Sequence, residues 1–315
     1  MSDPKDHHVI PNCYLKEWCD PDTPDGHTPY IWRISKDGKT NRRKAPEKSF
    51  TSRHRYRMSF PNGDQTLFVE NTLGRVENDF VGVREKIKKR QPIDTADRLT
   101  ICLFTAAMQS RTIRAGENWR KSSGELHDLT AAMEQQYETN GRASDQAKYL
   151  RDNAHQLFVL MSLEQQTPLY MQMEMSICMV EDEKMLITSD SPCVWFNSKA
   201  HTFPPAYRSP GLLQKDIEVR LPLTPKYLLL FSHVDHGQYV NIGGKIVDEL
   251  NRMTRLHCTN EFVSWKGETV PYWFTTLELP SDAWEKTDEG KETLKRQAEW
   301  DAMRAEWEQK TGRKP

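Results

Sequence analysis

The sequence contains no stretch approaching the roughly 18 uninterrupted apolar residues that a membrane-spanning helix requires, and Met1 to Lys5 is polar with no apolar segment behind it. A protein of a bacterial-type cytoplasm, with no membrane partner, is expected. Cysteine is sparse: Cys13, Cys19, Cys102, Cys178, Cys193 and Cys258 are scattered and form no C-x-x-C pair, so no disulfide framework is expected. An excess of one charge is also lacking, because 44 Lys and Arg against 45 Asp and Glu leave a formal net charge of -1. Bulk charge therefore names no partner. Gly243-Gly244 stands isolated without a following Lys-Ser/Thr, and there is no G-x-S-x-G, which disfavours nucleotide-triphosphate hydrolysis and serine-hydrolase chemistry. No internal repeat or low-complexity tract is present.

What is present is enough apolar material, in 315 residues, for a sizeable core. At the N-terminus, Val9, Ile10, Tyr14, Leu15 and Trp18 predict a short extended piece broken at Pro11, then a helical turn or two with its apolar face inside. A Pro-, Asp- and Gly-rich loop from Cys19 to Thr28 precedes a strand over Tyr30 to Ser35, a Lys36-Asp37-Gly38-Lys39 turn and a second extended stretch. Apolar residues at Leu73, Val76, Phe80, Val83 and Ile87 predict a helix over Phe68 to Lys88, which sets Glu70 and Glu77 on a common face. Asp94 caps a second helix with Leu99, Cys102, Leu103, Ala106, Ala107 and Ile113 as its stripe. Two more helices are expected, near Ser123 to Thr139 and Asp145 to Leu163, separated by Asn140-Gly141.

From Leu169 to Met179 the residues alternate with period two, predicting a strand whose methionines face a core. Met185 to Thr188, Glu218 to Leu223, Tyr227 to Ser232, Glu261 to Trp265 and Tyr272 to Leu279 are further expected strands, with a helix over Ile246 to Leu256. The fold class is α+β, with a helical middle third packed on a mostly antiparallel sheet from the N-terminal hairpin and the C-terminal half. One domain over residues 1–280 is expected, followed over 281–315 by a charged helix and tail with Trp300, Met303 and Trp307 on a narrow stripe. That helix is a candidate dock for the body or for a protein partner.

Between Arg33 and Arg57 ten Lys or Arg residues stand against Asp37 and Glu47. Interleaved with Trp32, Phe50, Tyr56 and Phe60, they suit phosphate contacts with base stacking, making nucleic acid a candidate partner. A solvated basic hairpin balanced by acids elsewhere is the plainer reading. The run His7-His8-Val9-Ile10-Pro11 invites comparison with the first strand of HNH-type metal nucleases, but Asn41 and His54 are too distant to complete that unit. Structural zinc on His7, His8, Cys13, Cys19 and His27 is disfavoured by spacing unlike the recurrent ligand pairs.

His-His-Val-Ile-Pro-x-x-Tyr-Leu-x-x-Trp at 7 to 18, Ile31-Trp32-Arg33, Val69-Glu70, Val76-Glu77, Gln109-x-Arg111, Thr188-Ser189-Asp190-Ser191-Pro192 and Leu221-Pro222-Leu223-Thr224-Pro225 occur in this order. Together they resemble the bacterial family catalogued as domain of unknown function 4238, over about His7 to Trp265. Ile113 departs from the Pro that family often carries there, and the tail beyond Pro280 has no counterpart. The resemblance implies no activity, but it groups His7, His8, Glu70, Glu77, Gln109, Arg111, Ser189 and Asp190, with Asn251 a looser match.

These residue types suit a phosphodiester-directed hydrolase, a nuclease-like effector of a toxin or phage-defence system. His7 or His8 serves as general base, Glu77 and Asp190 complete the catalytic group, and Arg111 stabilises an anionic transition state. Glu70, Glu77 and Asp190 are the candidate ligands of a divalent metal, with Arg33, Gln109, Ser189 and Asn251 against the substrate. The alternative is a non-enzymatic binding protein, in which Glu77 and Arg111 tie two helices together and the Ser189 to Pro192 segment is a side-chain-capped turn.

Overall fold

The computed structural model describes residues 6–137, 141–276 and 283–311. Thr139, Asn140, residues 277–279, the expected boundary at 280 and the Trp307 side chain lie outside the described residues. The chain divides into two compact units, Met1–Val194 with Glu218–Thr275 and Trp195–Ile217 with Thr276–Pro315.

The first unit begins with β1 (Asp6–His8), which Pro11 separates from a single helical turn, α1 (Asn12–Leu15). Pro11 removes a backbone donor and holds its neighbour extended, so the turn starts after it, with the Tyr14 and Leu15 N–H groups closing on the Pro11 carbonyl. Tyr14, Leu15 and Trp18 are completely buried, as their spacing predicts. The Tyr14 hydroxyl lies 2.6 Å from both Thr188 Oγ1 and the Pro222 carbonyl, and the Trp18 indole donates to the Leu186 carbonyl at 3.2 Å. The segment is thereby fastened to strands that follow it by more than 160 residues.

β2 (Ile31–Ser35) and β3 (Asn41–Lys44) form the expected hairpin. Its turn contains Gly38 at φ +78°, where a Cβ would meet the Phe274 ring at 2.6 Å, so both conformation and space require glycine. β4 (Thr51–Arg53) returns to pair antiparallel with β1, setting Ser52 opposite His7 and Thr51 opposite His8. β5 (Met58–Ser59) and β6 (Gln65–Thr66) make a small hairpin before the helices.

The helical middle consists of α2 (Phe68–Lys88), α3 (Thr95–Ser110), α4 (Ile113–Gln136), α5 (Arg142–Asp152) and α6 (Ala154–Gln172). All five residues of the α2 stripe are buried. Asp94 and Asp97 cap α3 reciprocally, and Lys86 on α2 reaches Asp97 at 2.7 Å. Cys102, Ala106 and Ala107 of the expected α3 stripe are buried, joined by Ile101, Phe104 and Met108, with Phe104 stacked 3.7 Å from Phe80; Leu99 and Ile113 are exposed. α4 starts ten residues ahead of the expected Ser123, because Thr112 caps it by accepting from the Ala115 N–H at 3.2 Å. The expected helix over Asp145 to Leu163 is split at Asn153, whose amide is occupied by the Ser59 backbone.

The predicted strand over Leu169 to Met179 starts too early. α6 continues through Pro168 to Gln172, and only Glu174–Val180 (β7) is extended. Tyr170 faces Phe231 at 5.0 Å, a tertiary contact that outweighs the local alternation. β8 (Thr188–Ser189), β9 (Val194–Asn197), β10 (Ile217–Thr224), β11 (Tyr227–Ser232), β12 (Tyr239–Ile242), α7 (Gly244–His257) and β13 (Glu261–Ser264) follow. β12, β7, β11 and β10 lie side by side in that order, antiparallel except for β12 with β7. β3, β2, β13 and β8 form an antiparallel sheet of N- and C-terminal strands. Where a strand is predicted from Tyr272, Pro271–Phe274 is instead a 3-10 turn that buries Trp273. The fold is α+β, a central helical region packed against antiparallel sheets from both ends of the chain.

In the second unit Asn197 bonds Gln214 at 2.8 Å and Lys199 pairs with Asp216 at 2.9 Å. Its long helix α8 (Asp288–Thr311) exposes Leu294, Trp300 and Met303. Among the described residues no helix is long and apolar enough to cross a membrane.

Candidate functional site

Because β1 is extended, His7 and His8 project to opposite sides of the chain. His7 turns inward and is completely buried, while His8 is half-buried. Two turns of α2 separate Glu70 from Glu77, so both carboxylates come to the same strand. Arg111 lies at the corner between α3 and α4 and is 2% exposed. Its Nη1 donates to Glu77 Oε1 at 2.5 Å and its Nη2 to the His8 carbonyl. The guanidinium lies 5.6 Å from the centre of the Tyr56 ring.

Tyr56 is the hub of this cluster. Its backbone N–H donates to His7 Nδ1 at 2.9 Å, and its ring meets the rings of His7 and His155, each at 5.7 Å. The Tyr56 bond takes the Nδ1 lone pair, so the approach of Glu70 Oε2 to the same nitrogen at 3.5 Å is not a hydrogen bond. Four polar atoms of the cluster, His8 Nε2, Glu70 Oε2, Arg111 Nε and His155 Nδ1, are buried with no hydrogen-bond partner among the described residues. Such atoms are uncommon in native interiors and mark strain, catalysis or a ligand.

The electrostatics separate the acid from the base. Burial first, then the Arg111 charge, pulls the His8 imidazole below its ordinary range, which favours the neutral ring. Burial pushes the Glu70 carboxyl up, against the opposing pull of His7 and Arg111. Burial pushes the nearby Cys13 thiol up to about 11, which makes it a poor nucleophile. For Arg111 burial works against the charge, yet Glu77 holds the guanidinium above its ordinary value.

His155 extends the cluster on α6. Its Nε2 lies 3.1 Å from the Ser110 carbonyl, and a Cβ on Gly116 would come within 2.8 Å of the ring. Burial, reinforced by Arg55, holds its pKa down at about 3, and burial holds His257 at about 4. Both are neutral in the fold. Below about pH 6.5 the unfolded chain takes up protons that the native state refuses, so stability present above that pH is lost as the pH falls toward 3 to 4. At 1.36 kcal/mol per unit, the loss at pH 5 is about 2 kcal/mol for each histidine. The raised carboxyls Glu70 and Asp190 offset part of it. We expect the Tm to fall by several degrees between pH 7.5 and pH 5, with a shallower slope in His155→Gln; a Tm unchanged over that interval would contradict the assignment.

Of the residues singled out from the sequence, His7, His8, Glu70, Glu77 and Arg111 meet. Asp190 does not join them: its two oxygens accept from the Thr259, Asn260 and Glu261 N–H groups at 2.7, 2.7 and 3.1 Å. Ser189 caps the same turn, accepting from the Ser191 N–H at 3.1 Å. Asn251 bridges the Ile187 N–H and the Met185 carbonyl, and Gln109 accepts from Gln166 at 3.4 Å. Arg33 is bound to Glu261 and lies 4.3 Å over Phe50. Among the described residues no group of three or more His, Cys, Asp or Glu is arranged to hold a metal ion. Glu70, Glu77 and Asp190 thus do not fit as one cation site, since Glu77 already faces the Arg111 charge and Asp190 binds backbone amides elsewhere.

Tyr56 and His155 are the members of the cluster that sequence reasoning misplaces or omits. Tyr56 is completely buried and cannot stack a base, whereas Phe60 is exposed. A lone His at the start of a helix carries no distinguishing signal. The basic segment is exposed at Arg42, Arg43, Lys44, Lys48 and Arg53, although Arg42 pairs with Glu261 and Arg43 lies 4.5 Å from the Trp32 ring.

No curated protein and no solved structure matches the chain. A family model described as "Protein of unknown function (DUF4238)" matches residues 6–266, a span that contains every member of the His7–Arg111 cluster. The chain belongs to that DUF4238 family.

Proposed function

We propose that the protein is a phosphodiester-directed hydrolase of nucleic acid, working in the cytoplasm as the effector of a toxin or phage-defence system. The observation that carries this reading is the meeting of His7, His8, Glu70, Glu77 and Arg111, in which His8 Nε2, Glu70 Oε2 and Arg111 Nε are buried with no hydrogen-bond partner among the described residues. A base, a carboxyl and a cationic donor are the groups that phosphodiester cleavage uses. A second observation supports the substrate: β4 pairs with β1, which brings the exposed Arg53 alongside the histidines. An exposed cation there suits a phosphate backbone.

The test is expression of wild type beside His8→Ala, with cell growth and RNA and DNA integrity as readouts, followed by assay of the purified proteins. Wild type should degrade nucleic acid and slow growth, and His8→Ala should lower the cleavage rate about 10²–10⁴-fold while its Tm stays close to wild type. Intact RNA and DNA after incubation with wild type would overturn the reading.

A second reading, a non-enzymatic binding protein whose polar cluster is structural, is favoured by the complete burial of His7 and the near-complete burial of Arg111 against Glu77. In that case the exposed stripe of Leu294, Trp300 and Met303 on α8 is the surface offered to a protein partner.

A further inference from the structure

We propose that the protein forms a homodimer through α4, whose exposed seam pairs antiparallel with the same seam of a second copy. Such pairing is independent of the hydrolase reading and of the polar cluster.

α4 is fastened along one side. Gly116 is buried against the His155 ring, the Trp119 ring stacks 4.7 Å from Phe158 on α6, and Glu134 accepts from the Ala143 and Ser144 N–H groups at the start of α5. About a quarter-turn away on the helix runs the series Ala115, Trp119, Ser122, Leu126, Leu129 and Met133, continued at the C-cap by Tyr137. Alternating steps of four and three residues are the spacing by which one helix packs along another. The large members of the series, Trp119, Leu126, Leu129, Met133 and Tyr137, are 37% to 66% exposed. Single exposed apolar residues are ordinary on a protein surface, whereas a continuous stripe of them along one rigid helix marks an interface.

The order of the side chains says what covers the stripe. From Ala115 to Met133 the spacing reads the same in both directions, so two copies can align antiparallel about a twofold axis at Gly124. Ala115 then faces the partner's Met133, Trp119 faces the partner's Leu129 and Ser122 faces the partner's Leu126. Every layer joins a larger side chain to a smaller one, whereas parallel pairing would set tryptophan on tryptophan in one layer and serine on serine in the next. Charge selects the same alignment. Before Gly124 the exposed Arg114, Arg120 and Lys121 outnumber Glu117, and after it Glu125, Asp128 and Glu134 share the helix with no Lys or Arg. Antiparallel pairing lays the basic half of each helix on the acidic half of the other and brings Lys121, on the flank of the stripe, beside the partner's Glu125 and the partner's Asp128. Parallel pairing would lay like charges together. Size and charge are thus complementary to the stripe itself, which is what a second copy supplies.

The experiment is sedimentation of the full-length protein over a range of about 1 to 100 μM. Wild type should sediment at twice the 36.8 kDa of one chain. Leu126→Glu combined with Leu129→Glu, at two exposed positions, should raise the dissociation constant at least about 100-fold while the far-UV circular dichroism stays that of wild type. The alignment is read by cysteine pairing. Positions 115 and 133 lie about 27 Å apart on one helix, so Ala115→Cys with Met133→Cys cannot close a disulfide within a chain. On mild oxidation the double variant should give covalent dimers, and each single variant should behave as wild type. A single-chain mass at the highest concentration would overturn the proposal and give the stripe to a different partner. Dimers indifferent to the two glutamates would overturn it by placing the interface elsewhere, as on the exposed stripe of α8. Covalent dimers of Ala115→Cys alone would overturn the antiparallel pairing.

Discussion

Arg111→Ala should lower the unfolding free energy by about 3–5 kcal/mol, read as a shift of the urea midpoint at unchanged slope. The size follows from what stays behind. Glu77, 21% exposed, keeps a carboxylate with no counter-charge at 2.5 Å, and the buried His8 carbonyl loses its donor. Removing both charges is a different operation from removing one. In Arg111→Met with Glu77→Leu the desolvation cost disappears together with the attraction, so the double variant should regain most of the loss. A double variant as unstable as Arg111→Ala would show that the ion pair is not the origin of the effect. The same variant divides the two functional readings. A binding protein tolerates an apolar replacement of its scaffold, whereas a phosphodiesterase without Arg111 should be folded and inactive.

Asp190→Ala carries the second large effect, a destabilisation of about 3–5 kcal/mol, checked by the same denaturant titration. One carboxylate accepts three consecutive backbone N–H groups, Thr259 to Glu261, at the junction between α7 and β13. Alanine leaves three donors without acceptors in a place where Asp190 is only 7% exposed. Asn keeps one oxygen, so Asp190→Asn should fall between the two. RNA or DNA cleavage per folded molecule should be unaffected in Asp190→Asn, because the residue is not among the cluster's contacts. A wild-type-like midpoint in Asp190→Ala would refute the structural role.

The contrast between Arg111 and Asp190 shows what the sequence can convey about the site. Glu70 and Glu77 are legible as a pair because helix periodicity is a local property, and the five apolar residues of α2 fix which face carries them. The N-terminal histidines are legible as neighbours of the core because Pro11, Tyr14, Leu15 and Trp18 define the inward face. That these two stretches meet at Arg111 and that Asp190 stays away are tertiary facts. Both Arg111 and Asp190 are polar residues at the end of a regular element, and nothing in their immediate surroundings distinguishes a cluster member from a turn cap. The resemblance to a family groups them without telling them apart.

The fold was readable for the same reason and to the same extent. Strongly periodic segments such as α2, the hairpin of β2 and β3, and α7 lie within a few residues of where their patterns put them. Errors fall where a long-range contact decides. The alternation after Leu169 is shared by a helix end and a strand, and the packing of Tyr170 on Phe231 keeps the helix going. The strand expected from Tyr272 is replaced by a turn because Trp273 enters the cluster of Ile34, Ile187, Cys258 and Phe262. Tyr56, read as a surface aromatic of the basic stretch, is instead the buried plate between two histidines.

The Tyr14 hydroxyl sits between Thr188 and Pro222, and Trp18 bonds Leu186, so this segment finds these anchors more than 160 residues further along the chain. A ribosome delivers these pieces in the opposite order of need. Tyr14 and Trp18 lack these partners until residue 222 has left the exit tunnel, a delay of roughly ten to forty seconds at ordinary synthesis rates, while β1 already has β4 to pair with. Polypeptides released early, by a premature stop or by cleavage before Leu186, lack the clasp that holds Tyr14 and Trp18 in place. Synthesis through Pro222 is thus a timer on the burial of Tyr14 and Trp18.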